Sequence, residues 1–316
     1  MRQGTGRWII ALTGAIVIVL LFRCFAFTSC LIPSSGMENS LFQGERILVN
    51  RWSYGLRLPF MSFFSYHRWM EKAIKNGEIV VFNNPAQVTQ PVIDQRGIYI
   101  SRCIGLPGDT LLVDSLFNIV STRRQSTPDE KKLYAYPREK ERSMDSLLSV
   151  LSITGNQLMG ANKEENVRSF SRYEYYLLEQ ALRNKNWIYL LSEKEETCLK
   201  QALHPLIIPG KRRMVKVCPW NATLLRNTLV LHEGKQAEVK NDTLYVDGRS
   251  VQYCYFTKDY YWMASNNSVN LADSRLFGLV PKDHIIGKAN LIWFSKKENT
   301  GPFKGYRWNR FFSGVH

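Results

Sequence analysis

Serine hydroxyls are the candidate nucleophiles of this chain, and two adjacent ones stand in the run Ile32-Pro33-Ser34-Ser35-Gly36-Met37, directly after an apolar N-terminal segment. Its two serines offer hydroxyls, but a serine is a weak nucleophile until a neighbouring base takes its proton. No base stands beside the run. His67, His204, His232, His284 and His316 are scattered without a His-Glu-x-x-His pattern, and read as core or surface residues. Arg102 stays charged and cannot accept a proton. The six cysteines, at 24, 30, 103, 198, 218 and 254, form no Cys-x-x-Cys pair, so the usual zinc spacing is absent and a disulfide scaffold is excluded. No metal or organic cofactor is indicated.

The elements that must position these residues are mostly strands. Short β-rich runs recur at Arg46–Asn50, Glu78–Phe82, Gly97–Cys103, Thr110–Val113, Thr228–His232, Thr243–Val246 and Val251–Phe256. Asp247-Gly248 between two alternating segments predicts a hairpin. From about 128 to 205 the pattern turns helical. Ser171-x-x-Glu174 and Ser192-x-x-Glu195 are capping-box sequences, and Tyr173, Leu177, Leu178, Ala181 and Leu182 follow helical spacing. Pro128 to Arg142 is charged and reads as a solvated loop.

Composition sets the outer bounds. The chain has 316 residues, 45% hydrophobic and 22% charged, which excludes wholesale disorder. A mean hydropathy of −0.24 excludes a chain crossing a membrane many times. Lys+Arg number 42 against 27 Asp+Glu, a net charge of +15, so the surface is expected to be basic. Trp8 to Phe22 is apolar, and Cys24 to Phe27 continue it past Arg23, about 20 residues in all, the length of a membrane span. Arg2 and Arg7 precede it, which favours a cytoplasmic N-terminus and an exported body. The following TSCLIPSSG lacks a clear small-x-small cleavage site, so an uncleaved anchor is expected rather than a removed signal peptide.

Four stretches in order resemble bacterial type I signal peptidase, the membrane-anchored serine endopeptidase that removes signal peptides. They are IPSSGMENSL (32–41), GEIVVFNNP (77–85), YISRCIGLPGDT (99–110) and YWMASNNSVNLADSRLFGLVP (261–281), followed by Gly287-Lys288-Ala289; WSYGLRLP (52–59) adds to them. The resemblance covers roughly 29–112 and 236–297. It implies a twisted β-domain on the membrane surface and a Ser/Lys dyad, in which a desolvated lysine takes the serine's proton.

Carried over position by position, that dyad is missing. Pro33, Ser34, Met37 and Leu41 hold the family register, but the nucleophile position is Gly36. The lysine position, just before Arg102, is Ser101, and the serine beside the lysine amine is replaced by Leu271. The family's Gly-Asp-Asn is Ser265-Asn266-Asn267, and its proline after Met-x is Asn39. What remains is binding machinery: the Ser34 hydroxyl and the Gly36 N–H as oxyanion donors, with Met37, Arg102, Asp273, Ser274 and Arg275 as scaffold. Asp273 and Arg275 look like a retained ion pair. Ser35 is the fallback nucleophile, but adjacent side chains in an extended segment face opposite ways.

The expected fold is therefore mainly β, a twisted antiparallel domain with an N-terminal transmembrane helix and an α-helical insertion. The divisions are 1–28 anchor, 29–127 and 206–297 β core, 128–205 helical insertion, and 298–316 basic-aromatic tail. The expected function is binding of signal peptides or other extended segments of exported proteins, without cleavage, at the outer face of the bacterial cytoplasmic membrane. An active paralogue is a candidate partner, and no nucleic acid is expected. The alternatives are an active endopeptidase using Ser35 or an unusual base, and a scaffold acting through the insertion. Phe60 to Trp69, rich in aromatics, suits either the lipid interface or the core, and the tail from Lys296 to Arg310 suits lipid or solvent.

Overall fold

The computed structural model describes residues 8, 11–16, 26–113, 117, 119, 132–151, 153, 158–170, 172–182, 187–190, 203–266, 273–297 and 300–315. The chain is mainly β. Eight strands form one antiparallel sheet: β1 (Phe27–Leu31), β2 (Glu45–Asn50), β3 (Ile79–Asn83), β4 (Ile98–Gly105), β5 (Tyr260–Ala264), β6 (Val280–Pro281), β7 (Ile285–Ser295) and β8 (Ser313–Gly314). Their order is β1-β2-β7-β3-β4-β5-β6, with β8 also on β7.

β3 accounts for much of this arrangement. Its run is apolar without alternation, the pattern of a strand covered on both faces. Ile79 and Val81 join a cluster with Ile32, Met37 and Leu41, while Val80 and Phe82 join another with Cys103, Met263 and Phe277. The sheet curls because β7 is long and its ladders with β2 and β3 both shift register. At Gly287 a Cβ would collide with the Asn50 carbonyl at the end of β2, which explains a glycine in the Gly-Lys-Ala run. The Asp247-Gly248 hairpin forms as its spacing predicts, with both residues at positive φ, 50° and 79°.

Three expectations are corrected. The 128–205 segment is not simply helical. Helices α1 (Glu141–Val150) and α2 (Arg172–Leu182) accompany a four-stranded sheet of Lys132–Pro137, Leu158–Ala161, Glu165–Phe170 and Tyr189–Leu190. The run read as a solvated loop supplies one of its inner strands, because Tyr134 and Tyr136 turn inward between flanking charges and pack with Met144, Leu148, Phe170 and Leu178. Residues 191–202, with the second capping box, lie outside the described residues.

Thr228–His232 is not a strand but the last turn of helix α3 (Pro219–His232). Pro219 at the first helical position and the Cys218–Asn221 capping box start this helix, and Leu225 and Leu229 bury one face of it. Its β-branched residues had suggested extended structure.

The charge is also not all superficial. Arg57 and Arg68 are buried and donate to the carbonyls of Asp283, Gly55 and Ile285. Desolvation pulls the Arg57 pKa down to about 10. By contrast Phe60, Phe63, Phe64 and Trp69 are exposed, which removes core packing as their role.

The expected anchor, 1–28, lies largely outside the described residues. Among the described residues no helix is long and apolar enough to cross a membrane.

The structure brings together two histidines that the sequence scatters. His284 accepts from Arg96 at Nε2 (3.1 Å), so its Nδ1 donates to Asp283 (2.7 Å) and the ring is neutral. Asp283 is also paired with Lys258, and the His232 ring lies edge-on to His284 at 5.3 Å. Desolvation above all, with the nearby Lys258 and Arg96 cations adding to it, lowers the His232 pKa to about 3 from 6.5 against the opposing pull of Asp283. An unfolded chain takes up a proton here below about pH 6.5 that the native state refuses. Stability is therefore full above that pH and falls as pH drops toward 3, by about 1.4 kcal/mol per pH unit for one proton. Urea midpoints of His232→Gln between pH 7 and 4 should show a shallower acid limb than the parent; identical slopes would refute this assignment.

Candidate functional site

After β1 the chain makes a single buried 3-10 turn, Ser35–Met37, preceded by Ser34 in extended conformation. A second turn follows at once. Ser40 N–H donates to the Met37 carbonyl at 3.2 Å, and Asn39 takes φ 75°. With Glu38 at φ −50°, ψ 151°, this is a type II turn. Proline, locked near φ −65°, cannot occupy position 39 in this conformation. The Asn39 departure is thus a change of backbone as well as of side chain.

Side chains from distant strands hold the turn. Ser40 Oγ accepts from Arg102 Nη2 of β4 at 2.8 Å and from Asn266 Nδ2 at 3.0 Å. Arg102 also donates to the Gly77 carbonyl (2.7 Å) and Asn266 to the Glu38 carbonyl (3.1 Å). From the C-terminal tail, Arg310 Nη2 donates to the Ser40 carbonyl at 2.8 Å. The tail read as solvated or lipid-bound therefore docks in part, because its arginines meet buried acceptors, although Phe303 and Trp308 stay exposed.

The Asp273-Ser274-Arg275 group forms a second brace. Asp273 is fully buried and its carboxylate accepts from Arg275 Nη2 (2.6 Å), Arg275 N (3.0 Å) and Ser265 N (2.8 Å). Ser274 Oγ accepts from Met263 N of β5 at 2.9 Å. The short helix α4 (Ser274–Phe277) is thereby fixed to the end of β5. Leu271 and Asn267 lie outside the described residues.

Between β1 and the start of β4 opens a cavity of about 290 Å³. Ser34, Gly36, Met37 and Ser265 line it together with β1 and Ile98–Ile100. Ser35 is not among the lining residues. Nor is Ser101, which is fully buried in β4 opposite Val80. Among the described residues lining the cavity there is no lysine, histidine, arginine or carboxylate. Cys30 lines it, but burial raises its pKa, so it is a thiol rather than the nucleophilic thiolate.

The cavity lies between two strand edges. Among the described residues β1 is outermost in the sheet and pairs only with β2. The β4–β5 ladder runs from Gly105 only to Arg102, leaving Ile98–Ile100 without a strand partner on that side among the described residues. Ile32 N–H donates to Glu45 and Arg51 N–H to Ala26, so residues 26, 28, 30 and 32 point their backbone groups at β2. By alternation, the N–H and C=O of Ser29 and Leu31 point outward. Such an arrangement can add an extended chain by main-chain hydrogen bonds. No role was read from the sequence for Ser40 or Arg310, and Ser265 was marked only as a departure from the family's glycine, since nothing in their spacing shows what they contact.

The sequence profile described as Signal peptidase, peptidase S26 matches residues 5–171 and 254–294. The match reaches well into the insertion and resumes after α3. Signal peptidase I of Buchnera aphidicola subsp. Schizaphis graminum is 25% identical over 291 residues, 90% of this chain and 74% of that protein. Signal peptidase I of Helicobacter pylori is 21% identical over 321 residues, 96% of this chain and 90% of that protein. Signal peptidase I of Pseudomonas aeruginosa is 37% identical over 99 residues, 30% of either chain.

Proposed function

This chain belongs to the signal peptidase, peptidase S26 family, and we propose that within it the protein binds extended segments of exported proteins, signal peptides among them, without cutting them. One observation carries this reading: a cavity between two strand edges has Gly36 where the family's nucleophile stands, and its described lining offers no base. Hydrolysis needs both groups. Main-chain pairing needs neither. Ser35 is a poor substitute, since it is buried away from the lining.

The proposed place of action is the outer face of the bacterial cytoplasmic membrane, with the N-terminal apolar run as a single anchor. Exposed Phe60, Phe63 and Phe64 support contact with the lipid interface, where aromatic rings are favoured. An active signal peptidase working on the same segments is the proposed partner.

Leu31→Pro tests the binding mode. Leu31 is on the edge strand and its N–H points away from β2, so proline removes an outward donor and leaves the β1–β2 bonds in place. Anisotropy of a fluorescein-labelled peptide carrying Ala-x-Ala should report binding to the parent, loss of tenfold or more in Leu31→Pro, and an intact peptide after prolonged incubation. Equal affinity in both proteins would remove strand addition at this edge.

A further inference from the structure

Ser265 sits one residue beyond β5, next in line after the last β4–β5 pair, Ala264–Arg102. Its backbone is fixed by the bond from its N–H to Asp273, itself held by Arg275. The side chain is not free to move to solvent: the residue is 5% exposed and its hydroxyl is buried without a hydrogen-bond partner among the described residues. An orphaned buried hydroxyl is costly and rare. Alanine at this position would avoid the cost altogether. The residue lines the cavity beside Ser34 and Gly36.

We infer that the Ser265 hydroxyl is a ligand-binding donor that bonds a main-chain carbonyl of an extended peptide lying between β1 and β4. The inference rests on the peptide-binding reading of this cavity and adds to it the residue that recognises the ligand. Carbonyl is the matching group for a definite reason. In a peptide paired to strand edges, each N–H spends its single hydrogen on an edge, whereas a carbonyl oxygen keeps a second lone pair. A hydroxyl on a cavity-lining residue with a fixed backbone can satisfy that lone pair and so end its own isolation.

The test compares the full-length parent with Ser265→Ala and Ser265→Thr, using the labelled Ala-x-Ala peptide. Ser265→Ala should weaken binding roughly three- to tenfold, the size of one neutral hydrogen bond. Its thermal midpoint without peptide should equal or exceed the parent's, because a buried unsatisfied group has been removed. Ser265→Thr, which keeps the hydroxyl, should bind more tightly than Ser265→Ala. A lowered midpoint with unchanged affinity would make Ser265 a structural residue and overturn the inference while leaving peptide binding in place. Absence of binding by the parent would instead overturn the reading of the cavity, and the inference with it.

Discussion

Cleavage of a leader-bearing preprotein is expected from the Gly36→Ser/Ser101→Lys double variant and not from the parent chain. Gly36 lines the cavity in a buried 3-10 turn, and the turn that follows it is held at Ser40 by three side chains. A serine there would present its hydroxyl to a peptide in the groove. Ser101 is fully buried on β4, so a lysine in its place would be desolvated, which lowers its pKa toward the neutral amine a general base requires. Loss of a hydrolase nucleophile typically costs on the order of 10⁶ in turnover, and dyad members act as a unit. Each single variant should therefore stay at background, while the double variant gains several powers of ten. Single-turnover assays with purified proteins decide this. Peptide bound with parental affinity but uncut by the double variant would mean that positions 36 and 101 no longer converge. Turnover by the parent would sink the non-cleaving reading outright.

Much of the core was legible because short runs rich in apolar and β-branched residues announce strands. β2 and β3 begin and end within one residue of the expected runs, and β4 within two. Motif positions are also readable, since Asp273-Ser274-Arg275 is a contiguous group whose ion pair closes within a single turn. Three things were hidden for one physical reason: they depend on contacts between residues far apart in the chain. Tyr134 and Tyr136 look like part of a charged loop until Glu165–Phe170 and Tyr189–Leu190 pair on either side. The helix α3 carries a strand-like ending, and packing of Leu225 and Leu229 against Leu206, Val215 and Trp262 overrides that propensity. The tail's cations look like a membrane-seeking patch until Glu45, more than 260 residues earlier, supplies the partner of Arg310.

That partnership makes Arg310 a residue whose loss should be strongly felt in stability. Glu45 is completely buried at the start of β2. Its carboxylate accepts from Arg310 Nε (3.0 Å) and Nη2 (3.1 Å), Ser295 Oγ (2.9 Å) and Phe42 N (3.0 Å). The Arg310 guanidinium also lies over the Phe42 ring at 5.0 Å. Arg310→Ala strands a buried carboxylate, and breaking a buried pair from one side costs about 3–5 kcal/mol, or on the order of 10 °C in thermal midpoint for a chain of this size. Adding Glu45→Gln should recover a good part of the loss, because the charge that remained unpaired is then gone. A structural clamp far from the cavity would stop there. Arg310 instead also holds the Ser40 carbonyl, and Ser40 is the residue on which Arg102 and Asn266 converge. Peptide affinity should therefore fall in Arg310→Ala and stay low in the rescued double variant, since Glu45→Gln restores charge balance but not the grip on the turn. Affinity that recovers in step with stability would show that the tail supports the fold alone and takes no part in shaping the groove.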